Sequence, residues 1–572
     1  MKSTLSCVLM FVFTLLGAQS NSTLLNVLAN LDSIDQVYDE SRSSNRYYFL
    51  REEQVITQAK AKEKELETLD RMDPALLSRQ DQITRSTLLL KLNDELSTVK
   101  FKTYLMPFNA EGGFYNNPTF SLSNRSFGTT DDYTNYEQWM RSFGVYLDYN
   151  LELLKKGVDA GVMRPKVIVE NTISLLEPWL GAVENQVFYQ PYITFSNAIP
   201  DEQQTKLQNN GRSIIRKELM PRYQQLKDFL VSEYLPKAPA SPGISSVSNG
   251  KKYYEDRIQF YTTQDLTPDS VFALGQSEVI RIRSLMEQVI EDVGFEGGFE
   301  DFIEFLRTDP QFYAGSAQEL LNHAAWLSKK AEGQLPRLFK TLYELPFTVA
   351  PVPMSIAPNY TGGRYVPGSR SQNRPGTYWV NTYDLSSRPF YTLPALTLHE
   401  AVPGHHLGIM VAAELTTDIP DFRKNYYISA YGEGWGLYAE YLGEEMGMYT
   451  TPYELFGRYT YEMWRACRLV VDVGLHYQGW SRQQALDFLA NNTALSLHEV
   501  KTEIDRYIGW PGQAVSYKIG ELTIKSLRAK AEQELGANFD LQQFHEVILA
   551  NGSIPLDELR TEVERYIQEN LR

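Results

Sequence analysis

The segment Tyr391-Thr-Leu-Pro-Ala-Leu-Thr-Leu-His399-Glu400-Ala-Val-Pro403-Gly404-His405-His406 contains three of the seven histidines of the chain. A helical zinc site needs two imidazoles one turn apart, a Glu beside the first of them to act as base, and a third ligand from elsewhere. The usual four-residue spacing is absent here. On a straight helix His405 would lie roughly 240° around the axis from His399, and His406 about 10.5 Å further along it.

A proline and a glycine between the histidines offer a way to bring them together. Pro403 has no N–H to donate to the carbonyl of His399, and its ring collides with that carbonyl, whereas Gly404 permits backbone angles that other residues avoid. We therefore expect the helix to kink or bulge here, which would return a later histidine to the side of His399. The sequence leaves open whether His405 or His406 is the second ligand.

The third ligand is predicted from the register of two antiparallel helices. A polar turn at residues 416–421 separates an apolar segment from a second helix. If the chain folds back near residue 418, His405 lies 13 residues before the fold and Glu433 lies 15 residues after it, so the two side chains come out level. Glu440 would lie about 10 Å further along the second helix.

The second helix carries three glycines, Gly432, Gly434 and Gly436, within five residues. Each disfavours a helix by around 1 kcal/mol, so we expect close backbone approach to compensate, with all three glycines letting this helix lie against the first. The alternative interpretation is a surface histidine cluster beside a glycine-rich packing seam. Isolated His-Glu pairs carry no such meaning, since His498-Glu499 and His545-Glu546 have no second histidine nearby.

The motif His-Glu-x-x-Pro-Gly-His-His, followed by Glu-Gly-Trp-x-x-Tyr-x-Glu, resembles the family known as domain of unknown function 885 (DUF885). That family is similar to the helical zinc peptidases around thimet oligopeptidase and Taq carboxypeptidase. The resemblance covers most of the mature chain, and its specific motifs lie beyond about residue 360. It implies a mainly α, zincin-like fold in two lobes around a deep channel, and zinc-dependent peptide hydrolysis.

Composition and the N-terminus indicate an exported protein. The chain has 572 residues and a net charge of −16, which argues against nucleic acid as a partner. Residues 1–20 have the charged start, short apolar run and small-residue exit of a cleavable secretory signal. We expect a secreted protein, extracellular or periplasmic, without stable membrane insertion after cleavage. Cys7 lacks the small-residue context of a lipoprotein anchor, and only Cys467 would remain in the mature chain.

The rest of the chain is predicted as two helical lobes. Residues 21–235 form the N-terminal lobe, residues 236–250 are a connector rich in Pro, Ser and Gly, and residues 251–572 form the C-terminal lobe with the zinc site. The segment 108–132 is predicted to be a long loop, either a lid or rim over a cleft or a plain surface excursion. A strong helix is expected from Thr267 or Asp269, either of which can cap it.

A small β element is expected beside the site, because alternation at residues 378–383 predicts a short strand. An open strand edge can pair with an extended substrate backbone; a purely structural hairpin is the alternative. Substrate contacts are assigned in this region to Arg364, Tyr365, Tyr378 and Asn381.

Hydrolysis also needs a donor for the developing oxyanion. Tyr517 resembles the tyrosine of the C-terminal segment of these peptidases, with Tyr507 and Gln513 as alternates that would also contact substrate. The chain has 36 tyrosines, so packing is the competing interpretation for each.

One further helix carries Arg468, Asp472 and His476 at four-residue intervals, which places them on one stripe. A buried ion pair that braces the active-site helices is the favoured interpretation. His476 is the reserve ligand or oxyanion donor.

The sequence thus predicts a secreted or periplasmic zinc peptidase for extended oligopeptides. The predicted ligands hold one Zn²⁺ ion with a water in the fourth position, and Glu400 takes a proton from that water and passes it to the leaving amine. Tyr517 or His476 stabilises the oxyanion. Three alternatives remain: a zinc hydrolase of a non-peptide amide or ester, a catalytically silent metal-containing binding protein, and a structural helical protein. Endo-, amino- or carboxypeptidase specificity and oligomeric state stay open.

Overall fold

The computed structural model describes residues 21–37, 45–122, 125–354, 356–415 and 419–571. The predicted signal segment with Cys7, and residues 416–418 of the predicted turn, lie outside them. The chain divides into two units, one made of the residues up to Ser78 with Lys91–Gly250, the other of Arg79–Leu90 with Lys251–Arg572. No helix of the described residues is both long and apolar enough to cross a membrane.

The first unit is helical, as predicted, with a two-residue hairpin of β1 (Phe108–Asn109) and β2 (Gly112–Gly113). Its helices are α1 (residues 21–37), α2 (Glu52–Asp70), the C-terminal part of α3 (Arg79–Lys100), α4 (Asn117–Ser121), α5 (Thr130–Ala160), α6 (Lys166–Leu175), α7 (Asp201–Ile214), α8 (Met220–Phe229) and α9 (Leu235–Lys237). Two π-helical segments, Ile215–Leu219 and Leu230–Tyr234, join the last three into one run.

Local sequence explains where the longest helix of this unit begins and ends. The Thr129 side chain accepts a hydrogen bond from the N–H of Asp132 at 3.3 Å, which satisfies a donor that the first turn leaves unpaired. Gly161 ends the helix in the left-handed conformation, with φ of 67°. Between them a buried face that includes Trp139 and Phe143 packs into an aromatic core.

The second unit is also mainly helical. Its helices are the start of α3, α10 (Gly250–Thr262), α11 (Pro268–Asp292), α12 (Phe299–Thr308), α13 (Ala317–Glu332), α14 (Leu335–Leu338), α15 (Leu393–Glu400), α16 (His405–Ala413), α17 (Asp421–Asn425), α18 (Ser429–Glu445), α19 (Pro452–Val473), α20 (Arg482–Asn492), α21 (Leu497–Gly509), α22 (Ser516–Leu535), α23 (Leu541–Leu549) and α24 (Leu556–Asn570). Thr267, one of the two predicted caps, accepts a hydrogen bond from the N–H of Ser270 at 3.2 Å and so starts α11.

A three-stranded mixed sheet lies in this unit, in the order β3 (Phe347–Pro351), β5 (Gly376–Val380) and β4 (Gly363–Val366). The predicted strand at 378–383 is therefore real but starts and ends earlier. It pairs in parallel with β3 and antiparallel with β4, so the expectation that it offers an open edge is wrong. The outer strands are β3 and β4. The sequence pattern did not reveal that β3 pairs with β5.

Helices α18 and α22 pack closely enough to need glycine on both sides. A Cβ atom on Gly434 would lie 2.5 Å from the Cα of Gly520, and one on Gly520 would lie 1.9 Å from the carbonyl oxygen of Ala430. Side chains in place of either hydrogen would push the helices apart. This contact positions the residues of α18 and of the start of α22 around the histidines of α15 and α16.

Candidate metal centre

The predicted break in the histidine helix is confirmed. Helix α15 ends at Glu400 and α16 begins at His405. Within the break the Val402–Pro403 peptide is cis, and the N–H of Gly404 donates to the carbonyl of Leu398 at 2.9 Å. A Cβ on Gly404 would lie 1.9 Å from the carbonyl oxygen of His399. Only glycine fits there, which explains the glycine of the Pro-Gly pair.

The break brings His399 and His405 to one carboxylate. Oε2 of Glu433 lies 3.4 Å from Nε2 of His399 and 3.3 Å from Nε2 of His405, and the three ligand atoms all lie within 4.8 Å of one another. Tetrahedral zinc ligands stand about 3.3–3.6 Å apart, because each bond is about 2.0–2.2 Å long. Both measured separations match this distance between zinc ligands, so this group can hold a metal ion.

Burial and charge also suit a cation. The side chains of the three residues are between 3% and 13% exposed. Burial opposes ionisation of Glu433, but His405 and His399 outweigh it and hold the pKa of Glu433 well below its ordinary value. Burial likewise lowers the pKa of His399, yet its hydrogen bonds to Glu433 and Glu440 raise it to about 10. The surrounding carboxylates thus favour a positive charge at His399, which is the charge that a metal ion would supply.

A second carboxylate orients His399 from behind. Nδ1 of His399 lies 2.8 Å from Oε1 of Glu440, which Nη2 of Arg465 contacts at 3.1 Å. Such a partner turns the other ring nitrogen towards the metal and raises its basicity. The register argument placed Glu440 beyond the ligand set, and the structure gives it this supporting position.

Tyr427 is a residue of the site that the sequence did not reveal. Its hydroxyl donates to Oε1 of Glu433 at 3.0 Å, which leaves Oε2 for the cluster. A Cβ on Gly432 would lie 2.3 Å from the Tyr427 ring. The only available signal was two adjacent tyrosines shortly before the three glycines of α18.

The glycines of α18 do permit close approach, but a different group lies against each of them. Gly436 makes room for His399, since a Cβ there would lie 2.6 Å from Cε1 of that ring. Gly434 faces α22, and Gly432 faces Tyr427. The prediction that all three lie against the first helix holds for Gly436 alone.

The predicted base lies at the edge of the cluster. Oε2 of Glu400 accepts a hydrogen bond from the N–H of Tyr365 at 2.8 Å and stands 4.0 Å from Nε2 of His405. Because Tyr365 is on β4, an outer strand, its N–H points away from the sheet and holds the carboxylate in place. Tyr365 is thus a positioning residue for Glu400.

Tyr517 lies beside the cluster, as the resemblance implied. Its ring is 6.4 Å from the ring of His399. Nη2 of Arg506 contacts its hydroxyl at 3.3 Å, and the guanidinium of Arg468 lies 4.1 Å from its ring centre. Gln513, the predicted alternate, is 3.5 Å from the same hydroxyl. Two cations and an amide therefore surround the proposed oxyanion donor.

His406, the other candidate for second ligand, points elsewhere. Its Nδ1 lies 2.8 Å from the hydroxyl of Tyr365, and its ring packs against Tyr343 and Phe347. Burial lowers the pKa of His406 to about 4, so the ring is neutral. Of the two alternatives, the structure places His405 with His399 and Glu433.

Two of the predicted stripe residues lie close to each other, since Nε2 of His476 is 3.8 Å from Oδ1 of Asp472, but most contacts of the stripe are with other segments. Arg468 forms an ion pair with Glu503 at 2.9 Å, whereas Asp472 accepts hydrogen bonds from Tyr254 and the N–H of Gly512. His476 lies just beyond the end of α19, and its Nε2 contacts the backbone oxygen of Tyr507 at 3.0 Å. These contacts brace the helices, in line with the favoured structural interpretation.

Of the remaining predicted substrate contacts, Tyr378 and Asn381 are fully buried. The Tyr378 hydroxyl is 3.3 Å from Oγ1 of Thr397, and the Asn381 amide donates to backbone oxygens near residue 360. Arg364 is half-buried, with its guanidinium 4.9 Å from the ring centre of Tyr360. Tyr507 is also buried, and its hydroxyl accepts from Arg468 and Trp464.

Comparisons with known proteins place the chain in a family without a described activity. Residues 38–563 match the family described as "Bacterial protein of unknown function (DUF885)". The structure is similar to that of a "putative lipoprotein" from Colwellia psychrerythraea, with 26% identity, a TM-score of 0.86, and 97% of this chain and 99% of the other covered. It also shares its fold with a "putative lipoprotein of unknown function" from Shewanella oneidensis, at 17% identity, a TM-score of 0.69, and coverage of 95% and 99%. No curated protein matches the chain.

Proposed function

The chain belongs to the DUF885 family, and we propose that it is a zinc-dependent peptidase. The observation that carries this proposal is the pair of separations from Oε2 of Glu433 to Nε2 of His405 and His399, 3.3 and 3.4 Å. Two imidazoles and one carboxylate are the donor set of several catalytic zinc sites, where a fourth position stays open for water or substrate. The family's similarity to helical zinc peptidases supports the same assignment.

His399, His405 and Glu433 would hold the zinc ion. When bound, zinc polarises a carbonyl and makes a water molecule acidic near neutral pH. Glu440 keeps the ring of His399 turned towards the cluster, and Tyr427 occupies the oxygen of Glu433 that faces away from it.

Glu400 acts as the general base. It takes a proton from the attacking water and delivers it to the leaving amine, which splits the peptide bond without a charged leaving group. Its Oε2 is 4.0 Å from His405, so the carboxylate stands next to the position where a carbonyl would be attacked. The N–H of Tyr365 holds it there.

Tyr517 supplies the hydrogen bond to the developing oxyanion, and Arg506 and Arg468 keep its ring and hydroxyl in position. The substrate lies extended beside β4, whose outer edge runs past Glu400 and gives the N–H of Tyr365 to that carboxylate rather than to the substrate. Strand pairing recognises the peptide backbone without regard to side chains, and this favours a peptide over a non-peptide amide or ester.

The proposal is tested by metal analysis together with digestion of a mixed peptide library, read by mass spectrometry. We expect one zinc ion per chain and cleavage that a chelator stops. Glu400→Gln should keep the zinc and lose turnover, whereas Glu546→Gln, in a His-Glu pair outside the site, should behave as the parent. Full zinc content without cleavage of any peptide would refute the peptidase assignment, and absence of stoichiometric zinc would refute the metal site.

We also propose that the protein works in the bacterial envelope or outside the cell. The predicted signal at residues 1–20 and the description of both solved relatives as lipoproteins support this location. N-terminal sequencing of the protein recovered from cell fractions tests it. A cytoplasmic protein that retains Met1 would contradict the proposal.

A further inference from the structure

A cavity of about 300 Å³ lies directly beside the candidate metal centre. His405, a candidate ligand, and Tyr427, which bonds Glu433, form part of its wall. The engineered cavity that admits benzene in another protein measures about 150 Å³. This cavity is therefore large enough for a bulky side chain.

The wall of the cavity is mainly apolar and well supported. Ile409 and Met410 come from α16, and Tyr431 and Trp435 come from α18. The Trp435 indole donates to the carbonyl of Pro403 at 2.8 Å, and the Tyr431 hydroxyl donates to a backbone oxygen of α23 at 2.7 Å. With their polar groups satisfied elsewhere, both rings present their apolar faces, and the wall keeps its shape.

Charge is nearly absent from the same wall. Among the described residues that line it there is no carboxylate and one lysine, Lys424, whose side chain is 30% exposed and pairs with Asp421 at 3.4 Å. A cationic side chain buried here would have no counter-ion, and an anionic one would have to compete with Asp421 for Lys424, whereas an aliphatic or aromatic side chain needs no charged partner.

The cavity also continues the outer strand. Pro367 and Gly368, the residues directly after β4, form its rim. A peptide that runs along β4 with its reactive carbonyl at the cluster would carry one neighbouring side chain to this opening, because alternate side chains of an extended chain point to the same face.

We propose that this cavity is the specificity pocket of the enzyme, and that it receives a large apolar side chain, Phe, Leu or Met, next to the bond that is cleaved. The inference rests on the proposed function and deepens it by naming the substrate class. One methylene in an apolar pocket is worth about 10- to 200-fold in discrimination. We expect kcat/KM for Phe or Leu at that position to exceed that for Ala or Asp by about 10- to 100-fold.

The test compares variants of the wall on peptides that differ only in the residue beside the cleaved bond, Phe, Leu, Ala, Asp or Lys. Ile409→Trp fills the pocket and should abolish the preference for Phe. Ala413→Phe, at an exposed residue of the cavity wall, should also abolish the preference for Phe, with less risk to folding. Ile280→Trp makes the same change at a residue on α11 that is 70% exposed, and serves as the matched control.

A second readout does not need turnover. Calorimetric titration of the zinc-loaded Glu400→Gln variant with the N-acetyl amides of Phe, Leu, Ala and Asp should show about 10-fold tighter binding of the first two. Addition of Ile409→Trp should remove the difference. Thermal unfolding and zinc content establish that each variant is folded.

The outcomes separate the two proposals. Cleavage without an apolar preference, or with a preference that Ile409→Trp leaves intact, refutes the pocket assignment. It leaves the peptidase assignment intact. A preference for Asp that Lys424→Ala removes also refutes the pocket assignment. If no peptide is cleaved but the Phe amide still binds selectively, the peptidase assignment is refuted and the pocket assignment is retained. Equal binding of all four amides refutes the pocket assignment in either case.

Discussion

Oε1 of Glu440 lies 2.8 Å from Nδ1 of His399, on the opposite side of the ring from Glu433. The ion pair from Arg465 to Glu440, at 3.1 Å, extends this support into α19. One imidazole is thus held between two carboxylates of the same helix, seven residues apart. Two turns of α18 therefore fix the direction in which His399 offers its Nε2 atom.

Glu440→Gln should weaken zinc binding about 10- to 100-fold, because the ring of His399 loses its charged partner. Competition with a chromogenic chelator measures the change. Glu444→Gln, one turn further along α18 and 40% exposed, is the control. Equal zinc affinity of Glu440→Gln and the parent would show that Glu440 has no part in the site.

His405→Ala should lose the zinc, whereas His406→Gln should keep it, because only His405 faces Glu433. His406→Gln removes a buried hydrogen bond to Tyr365 and should lower the free energy of unfolding by about 1 kcal/mol. Metal content and urea denaturation distinguish the two variants. Zinc loss in His406→Gln with zinc retained in His405→Ala would reverse the assignment.

Gly436→Ala should disrupt the centre without a change in charge. The added Cβ would lie 2.6 Å from Cε1 of His399, so the ring must move away from the other ligands. We expect lost zinc and lost turnover. Gly333→Ala, where the nearest neighbour of the Cβ is 3.4 Å away, should change stability by less than about 0.5 kcal/mol. A fully zinc-loaded Gly436→Ala protein would contradict the close approach.

Tyr517→Phe should keep zinc and lower kcat by about 100- to 1,000-fold, the usual effect of losing one oxyanion donor. KM should change little, because the hydrogen bond strengthens only in the transition state. Steady-state kinetics on a cleaved peptide gives both constants. Tyr383→Phe, at a tyrosine that is 37% exposed, is the control. A rise in KM at constant kcat would assign Tyr517 to substrate binding.

Asp472 predicts a pH dependence of stability. Burial raises the pKa of Asp472 to about 7, although hydrogen bonds from Tyr254 and the N–H of Gly512, and the charges of Arg468 and Arg506, oppose it. In the unfolded chain the value is about 3.9. The folded protein therefore keeps a proton that the unfolded chain releases, and this stabilising contribution is complete below about pH 4 and lost as pH rises through 7.

Asp472→Asn should remove that dependence, because an amide oxygen still accepts the hydrogen bonds from Tyr254 and Gly512. Urea denaturation at pH 5 and pH 8 measures it. The parent should lose stability relative to the variant between the two values. If the free energies of unfolding of the parent and the variant differ by the same amount at pH 5 and pH 8, Asp472 is ionised in the folded protein at both pH values.

Local patterns predicted the parts of the site that depend on neighbouring residues. Pro403 and Gly404 interrupt a helix wherever they occur together, so the break after Glu400 followed from the sequence. Counting along two helices placed Glu433 level with His405, because helical rise is constant. The cap at Thr267 is similarly local.

Other contacts come from segments far apart in the chain. The N–H of Tyr365 donates to Glu400, which is 35 residues away in sequence. Strand β3, which pairs with β5, is short and has no clear periodicity in the sequence. Arg465 meets Glu440 only after α18 and α19 have packed. Backbone hydrogen bonds and packing between distant segments have no periodic signal in one sequence, so these contacts were not predictable from it.

The sequence by itself determined which residue types can bind a metal, where the helix that carries them must break, and which carboxylate comes level with them, because each follows from spacing along one or two helices. Tertiary structure alone decided between His405 and His406, gave Glu440 and Tyr427 their supporting positions, and shaped the apolar pocket. Those outcomes depend on which way a ring turns, and that is set by the side chains that surround it.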